Sequence, residues 1–101
     1  MKGSERAALR AEAHHLDPAV HVGHGGLSPS VITSLEDALR TRELVKVKLA
    51  KQANVKAKEV AEALALSTGA DVIQVIGRTA TLYKRNPDLK PKPGAPPAWR
   101  R

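Results

Sequence analysis

The sequence AVHVGHGGLSPSVITSLEDALRTRELVKVKLA, residues 19–50, contains a complete strand-helix-strand pattern. Its first four residues alternate like a short strand, and LVKVKLA (44–50) alternates strictly, with aliphatic residues on one face and lysines on the other. Between them, Ser28 can cap a helix that has Pro29 in its first position and ends near Arg42. This unit predicts parallel or mixed neighbouring strands joined by a right-handed crossover.

The flanking segments extend this unit in both directions. Residues 4–16 predict a helix that Asp17-Pro18 ends, and a third helix, capped by Asn54, leads to strands 71–76 and 79–85, which a glycine turn joins as a hairpin. The order αβαβαββ predicts a two-layer α/β (α+β) fold with a four-stranded mixed sheet, one face covered by helices and the other open. The strand phases place six side chains on the open face: His21, Lys46, Lys48, Gln74, Thr81 and Tyr83.

Composition limits the class of protein. A chain of 101 residues fits one domain, and 42% hydrophobic with only 2% aromatic residues predicts an aliphatic core. The absence of cysteine excludes disulfides and thiolate zinc sites. No secretory signal and no apolar run of about 18 residues is present, so we expect a soluble, cytoplasmic protein without a membrane partner.

Positive charge is concentrated at the C-terminal end. The chain carries 17 basic and 10 acidic residues, a net charge of +7, and the seven basic residues and one acid of 78–101 give that end +6. Such an end indicates a nucleic-acid partner, or else a solvated tail that aids solubility. Five prolines follow Asn86, so we expect residues 1–85 to form the domain and 86–101 a disordered basic tail.

The glycine loop of residues 23–26 has two interpretations. Backbone N–H groups of Gly23, Gly25 and Gly26, ahead of the helix start at Ser28, can hold a phosphate without a side chain. The same glycines can also simply turn the chain from strand to helix. No Gly-Lys-Ser/Thr follows, and the dinucleotide pattern GxGxxG is missing, so a nucleotide-hydrolysis site is disfavoured.

Metal and catalytic chemistry find little support. The four histidines, His14, His15, His21 and His24, match no zinc spacing and lack an acidic third ligand. No cysteine nucleophile or GxSxG elbow is present, and the carboxylates fall on helices, where solvated faces explain them. We therefore expect no metal, no cofactor and no enzymatic activity.

A second constellation comprises Lys46, Lys48, Tyr83 and Arg85. Basic side chains on a sheet face can contact phosphates, and an exposed tyrosine can stack on an unpaired base. Alternatively, the lysines protect a sheet edge and the tyrosine packs at the rim of the sheet.

Three segments together resemble a known family: VGHGGLSPSV (22–31), ELVKVKLA (43–50) and TGADVIQVIGRTATLYKR (68–85). They resemble the CRM domain, and within that family the small bacterial stand-alone, YhbY-like members, over residues 4–86. The family's fold is αβαβαββ, similar to the C-terminal domain of bacterial translation initiation factor three. The proline-rich tail with Trp99 lies outside the shared domain.

The resemblance implies a non-catalytic RNA-binding module. The family's GxxG loop is thought to meet the RNA backbone as KH-domain loops do, and bacterial members are linked to precursors of the large ribosomal subunit, as plant relatives are to intron splicing. We therefore expect a monomer that binds ribosomal RNA or pre-ribosomal particles. A DNA-binding architectural protein and an adaptor with a basic docking tail are the alternatives. The candidate RNA-binding residues are Gly23, His24, Gly25, Gly26, Ser28, Lys46, Lys48, Arg78, Tyr83, Lys84 and Arg85.

Overall fold

The computed structural model describes residues 3–23, 26–51 and 56–86. In these ranges the elements follow the predicted order αβαβαββ. They are α1 (Gly3–Ala13), β1 (Val20–Val22), α2 (Pro29–Arg42), β2 (Leu44–Leu49), α3 (Ala57–Thr68), β3 (Asp71–Ile76) and β4 (Thr79–Tyr83). The first helix ends three residues earlier than predicted and the last strand two residues earlier. No helix in the described ranges is both long and apolar enough to cross a membrane.

The four strands form one mixed sheet in the order β1-β2-β4-β3. β1 runs parallel to β2, and β4 is antiparallel to both of its neighbours. β4 therefore lies between β2 and β3, which run in the same direction. The pairing of β3 with β4 shifts register between Val72 and Gln74, as at a β-bulge. The predicted mixed sheet and antiparallel final hairpin are confirmed.

The ends of α2 and α3 follow from local chemistry. The Val31 N–H donates to the Ser28 hydroxyl at 3.3 Å, with proline next to the cap, as the sequence predicts. α3 ends at Gly69, whose φ of 76° lies in the left-handed region. Asn54, the predicted cap of α3, lies outside the described residues; the helix begins at Ala57, and Lys56 occupies its N-cap position without a side-chain cap bond.

Helices α2 and α3 cover one face of the sheet. Their buried leucines and valine pack against the apolar face of the strands, and the cluster is entirely aliphatic. Its members are Val20, Val22, Leu35, Leu39, Val45, Val47, Leu49, Val60, Leu64 and Leu82. Burying such side chains stabilises the fold by roughly 1.5–3 kcal/mol each. The expectation of an aliphatic core is therefore confirmed for this layer.

Helix α1 packs on the opposite face. Its Leu9 and Ala13, both fully buried, join Leu44, Ile73 and Tyr83 in a second cluster, and the Arg6 guanidinium donates to the carbonyl of Val72 at 2.9 Å. Neighbouring residues of a strand point to opposite faces, so the Leu44 side chain points away from α2 and α3. The expectation that all helices share one face is wrong for α1, because three large apolar side chains on the second face need a cover. The sheet therefore has helices on both faces where α1 packs, and on one face only in the half that α1 does not cover.

The topology brings several connections to one edge of the sheet. β1 and β2 are parallel, so α2 and α3, which follow them, both begin at the carboxyl ends of these strands. Thr79 pairs with Lys48, which places the β3–β4 turn at the same edge. We call this edge the loop edge and define it by Gly23, Gly26, Ser28, Lys48 and Arg78.

Candidate nucleic-acid interface

Backbone hydrogen bonds join the glycine loop, the end of β2 and the β3–β4 turn. The Ala50 N–H donates to the carbonyl of Val22 at 2.9 Å, at the base of the glycine loop, and the Leu49 N–H donates to the carbonyl of Arg78 at 2.8 Å. The Arg78 guanidinium donates in turn to the carbonyl of Ala50 at 3.2 Å. The exposed Arg78 is therefore fixed beside the strand end that anchors the loop.

The two described loop glycines differ in what the fold requires of them. The Gly26 N–H donates to the carbonyl of Gly23 at 3.0 Å and closes a turn, and Gly26 has a φ of 72°, which favours glycine. The expectation that the Gly26 amide is offered to a phosphate is wrong, because the turn already uses that N–H group. His24 and Gly25, the interior of the predicted loop, lie outside the described residues.

Gly23 has no such structural reason to be glycine. A Cβ atom added there would meet nothing within 4 Å, and its φ is outside the strained positive range. The residue is exposed at the end of β1. Glycine at such a position leaves space for the close approach of another backbone, which suits a phosphate-binding loop.

The predicted lysines and serine take distinct places near the loop. Lys48 is exposed and Lys46 half-buried, and both point to the sheet face opposite α2 and α3. The Ser28 hydroxyl caps α2 and lies 3.0 Å from the hydroxyl of Ser30. Ser28 therefore fixes where the helix begins, while Lys48 supplies charge at the loop edge.

The segments that meet at the loop edge carry many more basic than acidic side chains, the exception being Glu59 in the first turn of α3. Residues 18–35, 44–58 and 72–83 contain six lysines and arginines and no Asp or Glu. An ion pair on α2, away from this edge, joins Arg40 and Asp37 at 2.7 Å. Positive charge therefore exceeds negative charge at the loop edge, and the potential there favours an anionic partner.

Three lysines near this edge were missed by the sequence reasoning. Lys51 follows the last residue of β2 by two positions, Lys56 is the N-cap of α3, and Lys58 lies in its first turn; all three are exposed. The signal was present in KVKLAKQANVKAK (46–58), which holds five lysines and no acid. The alternating strand pattern indicates only Lys46 and Lys48, because the other three lysines lie in the connection after the strand and at the start of α3.

Lys84 and Arg85 lie at the opposite edge of the sheet. They follow β4, and the six residues of extended chain from Arg78 to Lys84 span about 20 Å at the usual rise per residue. The Lys84 ammonium donates to the carbonyl of Thr68 at 2.7 Å, at the C-terminal end of α3, where a cation is stabilising. Arg85 is exposed and lines a groove between α2 and α3. The structure thus separates these two predicted residues from the loop edge.

Tyr83 is 6% exposed and packs beneath α1. The prediction that it lies on an open face is wrong, because Leu9 and Ala13 cover that end of the sheet. A ring buried in this way does not offer its face to a base. The alternative interpretation, a tyrosine packed against the sheet, describes the structure.

Metal-ligand geometry does not emerge from the histidines. Within the described ranges no group of three His, Cys, Asp or Glu side chains could hold a metal ion. His14, His15 and His21 are exposed surface residues.

Comparison with known proteins identifies relatives along most of the chain. The model of the CRS1 / YhbY (CRM) domain matches residues 1–84. The probable RNA-binding protein YqeI of Bacillus subtilis is 37% identical over 90 residues, covering 89% of this chain and 94% of that protein. The probable RNA-binding protein MJ0652 of Methanocaldococcus jannaschii is 41% identical over 86 residues, covering 83% of this chain and 63% of that protein.

A solved structure is similar in fold. The solution structure of the hypothetical protein SAV1595 from Staphylococcus aureus, described as a candidate RNA-binding protein, has a TM-score of 0.74 and 34% identity. The match covers 89% of this chain and 94% of that one. The arrangement of three helices and a four-stranded sheet is therefore shared with a relative of similar length.

Proposed function

Because this chain belongs to the CRS1 / YhbY (CRM) domain family, we propose that it is a non-catalytic, cytoplasmic RNA-binding protein whose loop edge contacts the sugar-phosphate backbone. The relatives named as RNA-binding proteins support RNA as the partner. The observation that carries the proposal is the loop edge itself, where exposed cations lie at the same edge of the sheet as a glycine that the fold does not need.

The proposed mechanism is electrostatic and steric. Gly23 lets the RNA backbone approach the end of β1, while Lys48 and Arg78 neutralise phosphates on either side of it. Lys51 and Lys56 extend this positive surface towards the start of α3. No bond is made or broken, so binding alone is the function of the domain.

The test is the salt dependence of RNA affinity. If about five phosphates are neutralised, the logarithm of the association constant should fall with the logarithm of salt concentration at a slope near −3.5 for single-stranded RNA. Fluorescence anisotropy with a labelled oligonucleotide at several salt concentrations measures this slope. Binding that does not change with salt, or a preference for duplex DNA in competition with RNA, would contradict the proposal.

We further propose that the natural RNA is ribosomal and that the protein binds precursors of the large subunit. This target follows from the family resemblance and is tested in cells. Crosslinking and sequencing of bound RNA should enrich large-subunit ribosomal RNA over messenger RNA, and sedimentation should place the protein with particles lighter than the mature subunit. Enrichment of small-subunit RNA or of messages instead would reject the ribosomal target while leaving RNA binding intact.

A further inference from the structure

A row of four side chains crosses the sheet beside the loop edge. The register pairs His21 with Lys48, Lys48 with Thr79, and Thr79 with Ile76, so one residue from each strand lies at the same level. Residues paired in this way point to the same face. Adjacent strands are about 4.8 Å apart, which gives the row a length of about 14 Å. We call it the cross-strand row.

The cross-strand row lies on the half of this face that α1 does not cover. His21, Lys48 and Ile76 are exposed and Thr79 is half-buried, whereas Tyr83 at the other end of β4 is covered by α1. The neighbouring residues of the same strands, such as Val22 and Leu49, are buried against α2 and α3. The row therefore forms a solvent-facing platform directly beside the proposed phosphate contacts.

The chemistry of the row differs from that of the loop edge. Ile76 is 59% exposed. The described residues include three exposed large apolar side chains, and two of them, Ile76 and Leu27, lie near the loop edge. An aliphatic side chain has nothing to offer a phosphate, and both it and an imidazole ring can lie against the flat face of a base. Lys48 stands between His21 and Thr79 and supplies the charge complementarity to the RNA backbone.

We propose that the cross-strand row binds unpaired nucleobases of a single-stranded RNA segment whose phosphates contact the loop edge. This inference rests on the proposed RNA-binding function and specifies the form of RNA. In an A-form duplex the base faces are stacked and inaccessible, so a platform with apolar and ring side chains gains its contacts only from unpaired nucleotides. A lysine within the platform neutralises the backbone that runs past it.

Base contacts and phosphate contacts are separable by salt. Removing a phosphate contact lowers the magnitude of the salt slope by about 0.7 for a single strand, whereas removing a base contact weakens binding at every salt concentration and leaves the slope unchanged. The variants His21→Ala and Ile76→Ala address the platform, and Lys48→Gln addresses a phosphate contact. Leu66→Ala is the matched control, because Leu66 is 87% exposed but lies on α3, away from the row.

The experiment measures affinity of the full chain for an unstructured oligonucleotide and for a blunt-ended RNA duplex over a series of salt concentrations. We expect wild type to prefer the unstructured RNA, His21→Ala and Ile76→Ala each to weaken its binding roughly fivefold with an unchanged slope, and Leu66→Ala to have no effect. Thermal unfolding of each variant confirms that the fold is retained.

The contrary outcomes separate the two proposals. Wild type that binds neither RNA in a salt-dependent way contradicts the proposed function and, with it, this inference. If wild type binds RNA with the expected slope, and the His21→Ala and Ile76→Ala variants bind equally well, only the base platform is contradicted. A preference of wild type for the blunt-ended duplex also contradicts only the base platform.

Discussion

The guanidinium of Arg78 donates a hydrogen bond to the carbonyl oxygen of Ala50 and so ties the β3–β4 turn to the end of β2. One N–H group is used in this bond, and the planar fork of the guanidinium has four further N–H donors. A fixed arginine of this kind is prepared to bind a phosphate, because part of its rotational freedom is already lost in the free protein.

Replacement of Arg78 by glutamine is expected to remove one phosphate contact. The magnitude of the salt slope should fall by about 0.7, and RNA affinity at low salt should decrease. Arg85→Gln is the matched control, since it removes the same charge at the opposite edge of the sheet, and it should change the slope much less. Equal effects of the two substitutions would show that net charge, rather than the loop edge, determines binding.

The two described loop glycines should respond differently to alanine. Gly26→Ala places a side chain at a φ of 72° and should lower the free energy of unfolding by about 1–2 kcal/mol, measured by urea denaturation. Gly23→Ala meets open space and should leave stability unchanged, yet it should weaken RNA binding, because the added methyl group stands where the backbone of the RNA approaches. Unchanged affinity of Gly23→Ala would remove the main steric argument for the loop.

Local patterns predicted most of the fold, because the relevant interactions are short in sequence. Alternation identified β1 and β2, the Ser-Pro pair located the start of α2, and the glycine turn located the hairpin of β3 and β4. The face on which α1 packs could not be predicted in this way. An amphipathic helix needs a cover for its apolar side, but its own sequence does not say which face of the sheet provides it.

The candidate site was predictable in composition and less so in arrangement. The pattern of β4 placed Tyr83 on the correct face of the sheet, but exposure depended on the distant residues Leu9 and Ala13. Likewise Lys84 and Arg85 are close in sequence to Arg78, yet an extended strand carries them to the other edge. Distance along a strand and cover from a remote helix are tertiary properties that residue spacing alone does not contain.

Tyr83→Leu should separate packing from RNA contact. Loss of the ring from the cluster under α1 should lower the free energy of unfolding by about 1–3 kcal/mol. RNA affinity and its salt slope, measured at a temperature where the variant is folded, should equal those of wild type. A selective loss of RNA affinity in the folded variant would show that the ring takes part in binding after all.

Glu43 connects the end of α2 with Lys84 and Asn86, which follow β4, and should be important for stability. It is 1% exposed, its carbonyl accepts the Lys84 N–H at 2.9 Å, and its carboxylate accepts the Asn86 N–H at 2.6 Å. Glu43→Ala removes the side-chain bond and should cost about 1–3 kcal/mol, measured by urea denaturation. Glu36→Ala removes an exposed acid of α2, the helix that Glu43 follows, and should change stability by less than about 0.5 kcal/mol. Equal effects would mean that the carboxylate of Glu43 contributes nothing beyond its charge.

The position of Asn86 allows the contribution of the tail to be tested separately from that of the loop edge. Its side-chain amide donates to the carbonyl of Arg40 at 2.8 Å, so Asn86, the last described residue, lies at the edge opposite the loop edge. The residues that follow include four basic side chains: Lys90, Lys92, Arg100 and Arg101.

Replacing these four residues with glutamine should reduce the magnitude of the salt slope, because any protein cation near a phosphate releases a counterion from the RNA. Binding should nevertheless persist, and Arg78→Gln in this background should still lower the slope by about 0.7, because the loop edge acts independently of the tail. Anisotropy titrations of the neutralised chain with and without Arg78→Gln measure both effects. If the neutralised chain stays folded but no longer binds RNA, the tail is the primary RNA contact and the loop-edge proposal is wrong.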